Sequence, residues 1–184
     1  MIRAILTTPE GETHEGDERL LAVWQTTPRS HIWIDMQGES QQSERAILEA
    51  FEFHPMAIQD AHKDRHPPKI EEFENHTLII YRGISSFDAE LNYLPQQVCF
   101  FVGERFLVTL HPGQALSIER LFNEHGKALL AHSPEHVALR VMYISAGFYI
   151  DSLLEFETAL SDLEDELLEN GNDVLMRKII TYRS

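Results

Sequence analysis

The chain has 184 residues and is 43% apolar, enough to bury a core and too apolar for a disordered polypeptide. Its 30 acidic residues face only 15 basic ones, and the resulting formal charge of −15 repels nucleic-acid phosphates and anionic lipid headgroups while drawing cations to the surface. That balance excludes a DNA- or RNA-binding role. A single cysteine, Cys99, rules out an intrachain disulfide, and its place in the apolar run VCFFV reads as a buried, unreactive thiol. MIRAILTTPEGE turns polar too early for a signal peptide, which needs an apolar stretch of about 7–15 residues. No uninterrupted apolar run approaches the roughly 18–20 residues that cross a bilayer. By these criteria the chain reads as soluble and cytoplasmic.

The first half reads as strands separated by short helices. SHIWIDMQG (30–38) alternates Ile32 and Ile34 against Trp33 and Asp35, and HTLIIYRGIS (76–85) is rich in β-branched residues, both patterns of a strand buried on at least one face. Between them SERAILEAFEF sets Ile47, Ala50 and Phe51 at helical spacing, and PMAIQDA predicts a short helix entered through His54 with Pro55 at its first position. QQVCFFVGERFLVTLHP (96–112) holds two apolar runs around GER, a hairpin in which the glycine is expected to supply a positive φ. GQALSIERLFNEHG (113–126) predicts an amphipathic helix with Leu121 and Phe122 inward and Gly126 at its end.

After Ser133 the character changes. Ser133 is a natural N-cap, Pro134 a natural first helical residue, and nothing interrupts the helical pattern before Asn170-Gly171. Leu153, Phe156, Leu160, Leu163 and Leu167 recur at spacings of three and four, the seam of helices packed side by side. DVLMRKIITYRS then begins another amphipathic segment, which reads as a helix cut short. The organisation expected is an α/β unit over 1–132, an acidic helical arm over 133–172 and the start of a further helix over 173–184.

The stretch HPMAIQDAHKDRHPPKIEEFENH (54–76) carries four histidines and five carboxylates around a Pro-Pro pair. His62 and His66 are four apart, as on one face of a zinc-binding helix, but His66 precedes Pro67 and is thereby pushed out of the helical region. Together with His54 and His76 they read as solvated loop histidines. Asp60 ends the short helix and is expected to point outward. One carboxylate binds magnesium weakly, so a metal role for Asp60 requires a second charged ligand from elsewhere. Between Asp151 and Asp173 lie nine carboxylates and no lysine or arginine, either a solubilising face or a surface for cations and basic segments. No G-x-S-x-G elbow, phosphate-binding glycine loop or H-E-x-x-H motif is present, so the chain is not expected to be an enzyme.

WIDMQG (33–38), FHPMAIQDAHKDRHPPKIEEFENHTLIIYR (53–82), QQVCFFVGERFLVTLH (96–111) and LEDELLE (163–169) resemble the N-terminal cytoplasmic domain of CorA-type divalent-cation transporters. The resemblance implies an α+β fold, an α/β/α sandwich with a mixed sheet followed by an acidic antiparallel helical arm that leads to a stalk helix. It implies a regulatory, ion-sensing role in transport of magnesium or cobalt, in a homo-oligomer, a pentamer, at the inner membrane. The transmembrane helices, with their Gly-Met-Asn signature, would lie beyond these residues. Asp60 matches the family's regulatory metal-binding aspartate, whose partner is an acid on a neighbouring subunit's stalk. Many relatives carry an acid just before that aspartate where this chain has Gln59, which implies weaker ion binding. Three alternatives stay open: a ZntB-like zinc transporter domain, a free-standing metal-dependent protein using His62 and His66, and an interaction module built on the seam from Leu153 to Leu167.

Overall fold

A computed structural model of the chain describes residues 1–63, 65–87 and 93–170. Its strands are β1 (Ile2–Thr7), β2 (Thr13–Gly16), β3 (His31–Gln37), β4 (Lys69–Glu72), β5 (Thr77–Phe87), β6 (Tyr93–Val102) and β7 (Phe106–His111). The helices are α1 (Leu20–Thr26), α2 (Gln41–Ala50), α3 (Pro55–Ala61), α4 (Leu116–Glu124), α5 (Gly126–His132) and α6 (Pro134–Asn170).

The strands form one mixed sheet in the order β2-β1-β3-β7-β6-β5-β4, in which β3 and β7 run parallel and every other neighbouring pair is antiparallel. Side chains alternate across it. Ala4, Leu6, Ile32, Ile34 and Met36 enter a core shared with α1, α2 and α3, through Trp24, Ile47, Leu48 and Ala57. Ile5, Trp33 and Leu107 enter a second core shared with α4, α5 and α6, through Ile118, Leu121, Leu130, Val137 and Val141. The result is the expected three-layer α/β/α arrangement. Because helices cover both faces, β7 is buried along its whole length and β3 along all but its ends. The reading of 30–38 as an alternating strand therefore needs one correction: Trp33 and Asp35 are as buried as Ile32 and Ile34.

The strands expected at 30–38 and 76–85, the 96–112 hairpin and the helices at 41–50, 55–61 and 116–124 are all present. Two glycines act differently from expectation. Gly103 does not adopt a positive φ in the β6–β7 turn; a Cβ there would lie 2.3 Å from the Phe106 ring, so close packing selects glycine. Gly126 does not end the helical path but starts α5, where a Cβ would meet the Trp33 ring at 2.9 Å and the Leu121 carbonyl at 3.1 Å.

Ser133 caps α6 as predicted, its hydroxyl accepting from the His136 N–H at 3.3 Å, with Pro134 opening the helix. Val137, Ala138, Val141 and Ser145 pack the first part of this 37-residue helix into the molecule. Over Pro134–Leu168 it reaches a mean hydropathy of 1.4 in its most apolar window, enough by length and composition to cross a membrane. No uninterrupted apolar run in it reaches that length, since Arg140 and Asp151 break the sequence, and one face of the apolar half is used against the sheet. Farther along, Leu163 of the expected seam is buried and Phe156 and Leu160 are half-buried, whereas Leu153 is 65% exposed and lies off it. The antiparallel return of the arm and the amphipathic segment at 173–184 fall outside the described residues.

Candidate metal centre

α3 is short, and its ends are held by side chains. His54 Nδ1 accepts from the Met56 N–H at 3.2 Å, Pro55 supplies the pre-set φ of a first helical turn, and Ala57 and Ala61 seat the helix on the core. Asp60 falls in the last turn, on the side facing the loop that leads to β4.

The structure places this carboxylate differently from expectation. Asp60 does not project freely into solvent; its side chain is only 12% exposed and sits between two ammonium groups. Lys63 Nζ donates to Oδ1 at 2.6 Å and Lys69 Nζ donates to Oδ2 at 2.5 Å, while Lys69 also reaches Glu71 Oε2 at 2.6 Å. His66 Nε2 lies 3.7 Å from Oδ1. The hydrogen bonds from Lys63 and then Lys69 outweigh partial burial and hold the Asp60 carboxyl down at about 2. Asp60 is therefore a carboxylate at every physiological pH, already neutralised by lysines. A divalent ion gains access to it only by displacing at least one of them. Lys63, whose side chain is 51% exposed, is the easier to displace.

The histidines of the same stretch do not converge on an ion. His62 Nε2 is bonded to Glu44 Oε2 at 2.7 Å, tying α3 to α2, while the His66 N–H donates to Gln97 Oε1 at 2.8 Å on β6. Among the described residues no group of three or more histidine, cysteine, aspartate or glutamate side chains is arranged to hold a metal. His76 corrects the reading of these residues as solvated: it is 4% exposed, with its ring 4.8 Å from those of both Phe53 and Phe73. Its Nδ1–H donates to Asn75 Oδ1 at 2.6 Å, because the Asn75 amide nitrogen is turned to the Phe51 and Glu52 carbonyls. Burial, and secondarily His54, push its pKa down to about 4. Cys99 is the inert thiol expected, with burial pushing it up to about 12.

A buried polar network had no place in the sequence reading. Asp35 on β3 accepts from Thr109 Oγ1 at 2.5 Å and from Arg3 Nε at 2.9 Å, and its Oδ1 lies 3.0 Å from His111 Nε2. The register brings them together, since Asp35 stands opposite Arg3 on β1 and Thr109 on β7. Burial alone would raise the Asp35 pKa, but His111, Thr109 and Arg3 together lower it. Arg3 continues the chain to Glu119 at 2.9 Å and lies over the Phe122 ring. The signal was available as one acid inside an otherwise apolar strand, though not the identity of its partners. Asp35 is bonded to Arg3 and Thr109 and faces His111, and Arg3 pairs on to Glu119, so the network ties β1, β3, β7 and α4 together.

The family model described as CorA-like Mg2+ transporter protein matches residues 28–184. The chain is 24% identical over 156 residues to YfjQ of Bacillus subtilis (strain 168), which carries the name of a metal ion transporter; the match covers 83% of this chain and 47% of that protein. The chain thus spans about half the length of that curated relative. In fold it is similar to the soluble domain of CorA from Methanocaldococcus jannaschii, with a TM-score of 0.75 at 20% identity over 98% of this chain and 70% of the other. It is also similar to the ZntB cytoplasmic domain from Vibrio parahaemolyticus RIMD 2210633, with a TM-score of 0.56 at 14% identity over 82% of this chain and 59% of the other.

Proposed function

Because the chain belongs to the CorA-like Mg2+ transporter family, we propose that it is the ion-sensing domain, on the cytoplasmic side, of an inner-membrane transporter for magnesium or cobalt. In this reading a region outside these 184 residues forms the pore, and identical subunits assemble in a ring, a pentamer by the family resemblance. The observation that carries the proposal is the position of Asp60: a permanently ionised carboxylate at the end of α3, held by displaceable lysines.

The mechanism follows from competition for that carboxylate. At low ion concentration Lys63 and Lys69 neutralise Asp60 within one subunit. At high concentration a divalent ion takes their place and recruits a second acid from a neighbouring subunit, which links the two subunits. Binding that favours the linked ring shifts the population toward it, and loss of the ion releases the subunits. Gln59 contributes no charge beside Asp60, so the ion must be abundant to win against two ammonium groups. Magnesium, present at high concentration in cells, fits that weak site better than zinc, which favours nitrogen and sulfur ligands.

The test is limited proteolysis of the full-length protein with and without magnesium. Asp60→Asn is expected to abolish the ion-dependent protection. Protection equal to the wild type, at the same magnesium concentration, removes Asp60 from the sensing site.

A further inference from the structure

A cleft of about 970 Å³ opens at the carboxyl ends of β3 and β7, the one parallel strand pair among the described residues, and it does not include Asp60. Crevices at the carboxyl ends of parallel strands are where open α/β sheets bind ligands, and this volume suits a small molecule. Its walls contain many polar groups, most of which are already engaged. Gln96 donates to the Gln114 carbonyl and accepts from the Gly113 N–H; Gln97 donates to the Ala61 carbonyl and accepts from the His66 N–H. The two carboxylates of the wall are engaged, Glu44 in a hydrogen bond with His62 and Glu39 in an ion pair with the amino terminus.

What is left over is positive. Arg65 and Arg82 both line the cleft, and among the described residues neither guanidinium has an ion pair or a hydrogen bond. Arg65 is set there by a backbone in the left-handed region, φ +55°, and Arg82 by its place on β5. In a chain with a net charge of −15 these are conspicuous, because carboxylates are plentiful and among the described residues neither arginine has taken one. Each guanidinium presents a planar fork of N–H donors and no acceptor, so their only complement is an anion. A monocarboxylate satisfies one fork; a phosphate, with a charge of about −1.5 to −2 and three acceptor oxygens, satisfies both. Leu94, Pro95 and Leu110 add an apolar wall for the remainder of such a molecule.

We propose that this cleft is a binding site for a small phosphate-bearing molecule, held by Arg65 and Arg82. Lys63 lines this cleft as well as holding Asp60, but the phosphate site does not rest on the divalent-ion reading and is tested without divalent ions. Titration calorimetry of the 184-residue chain in buffer containing a chelator, with inorganic phosphate and with AMP as probes, is expected to show one saturable site for at least one of them. Arg82→Gln and, separately, Arg65→Gln weaken that binding by at least about tenfold, the loss of one charge-assisted contact. Arg65 is exposed on a loop, so its variant keeps the fold even if a change on β5 disturbs it. Arg120→Gln, on the far side of the sheet at α4, leaves the binding unchanged. Absence of saturation with both probes overturns the proposal, and so does binding that persists at wild-type strength in Arg65→Gln and Arg82→Gln.

Discussion

Asp35 and His111 meet at 3.0 Å between two parallel strands, and neither side chain reaches solvent. His111 Nδ1 faces the Gly113 carbonyl while Nε2 faces the Asp35 carboxylate, and the Arg3 guanidinium supplies the positive charge opposite Asp35. Removing one member of a buried charged pair leaves the other uncompensated. Asp35→Ala is therefore expected to destabilise the domain by about 3–5 kcal/mol, measured by urea unfolding, and far more than a surface acid such as Glu124→Ala.

The pH dependence of folding follows from His76. Its pKa falls from 6.5 to about 4 on folding, so between those values the unfolded chain binds the proton more readily. The stability it contributes is complete above 6.5 and is lost progressively as the pH falls toward 4. His76→Phe, which keeps the ring among Phe53, Phe73 and Phe101, is expected to flatten the stability curve across that window. A curve as steep as the wild type's would show that the slope arises elsewhere. Below it, Asp60 takes over with a shift in the same direction. Its carboxyl is lowered from 3.8 to about 2, so its contribution is present above 3.8 and disappears as the pH falls through that lower range.

The lysine clamp makes a prediction opposite in sign to that for Asp60. Lys63→Met removes the more exposed of the two ammonium groups that compete with an ion, and leaves the carboxylate in place. The magnesium concentration needed for protease protection of the full-length protein is expected to fall by about tenfold, one charge-assisted hydrogen bond's worth. A rise in that concentration would mean that Lys63 supports the site instead of guarding it.

Gly126 tests the packing between α5 and the sheet. Adding a Cβ places it 2.9 Å from the Trp33 ring and 3.1 Å from the Leu121 carbonyl, and backbone does not yield as a flexible side chain does. Gly126→Ala is expected to cost about 1–3 kcal/mol in thermal or urea unfolding despite alanine's better helix propensity.

Much of this architecture was legible because its elements announce themselves locally. β5 and β7 are rich in aliphatic, β-branched and aromatic residues, and α6 opens on Ser133-Pro134. The elements that escaped reading carry weaker patterns. β2 is the polar edge strand THEG, β4 alternates Ile70 among charges, and α1 is a seven-residue helix without a side-chain cap. β1 gains its meaning only when β3 pairs with it. At the site, the capping role of His54-Pro55 and the position of Asp60 followed from local rules. Its burial between Lys63 and Lys69 did not, since Lys69 returns to it only after the chain has turned through Pro67-Pro68. His76 looked like one more polar loop residue until the aromatic rings of Phe53, Phe73 and Phe101 were assembled around it. The placement of both Arg65 and Arg82 in the wall of one cleft likewise depends on the folding of the loop and β5.

Asp60 is the residue proposed to sense a divalent ion in the assembled transporter. The most direct measurement is the magnesium dependence of protease protection in the full-length protein, comparing the wild type with Asp60→Asn. Protection is expected to rise with magnesium in the wild type and to be lost in the variant, with the fold of both intact by circular dichroism. Identical protection curves would contradict it and leave Asp60 as a structural acid that ties α3 to β4.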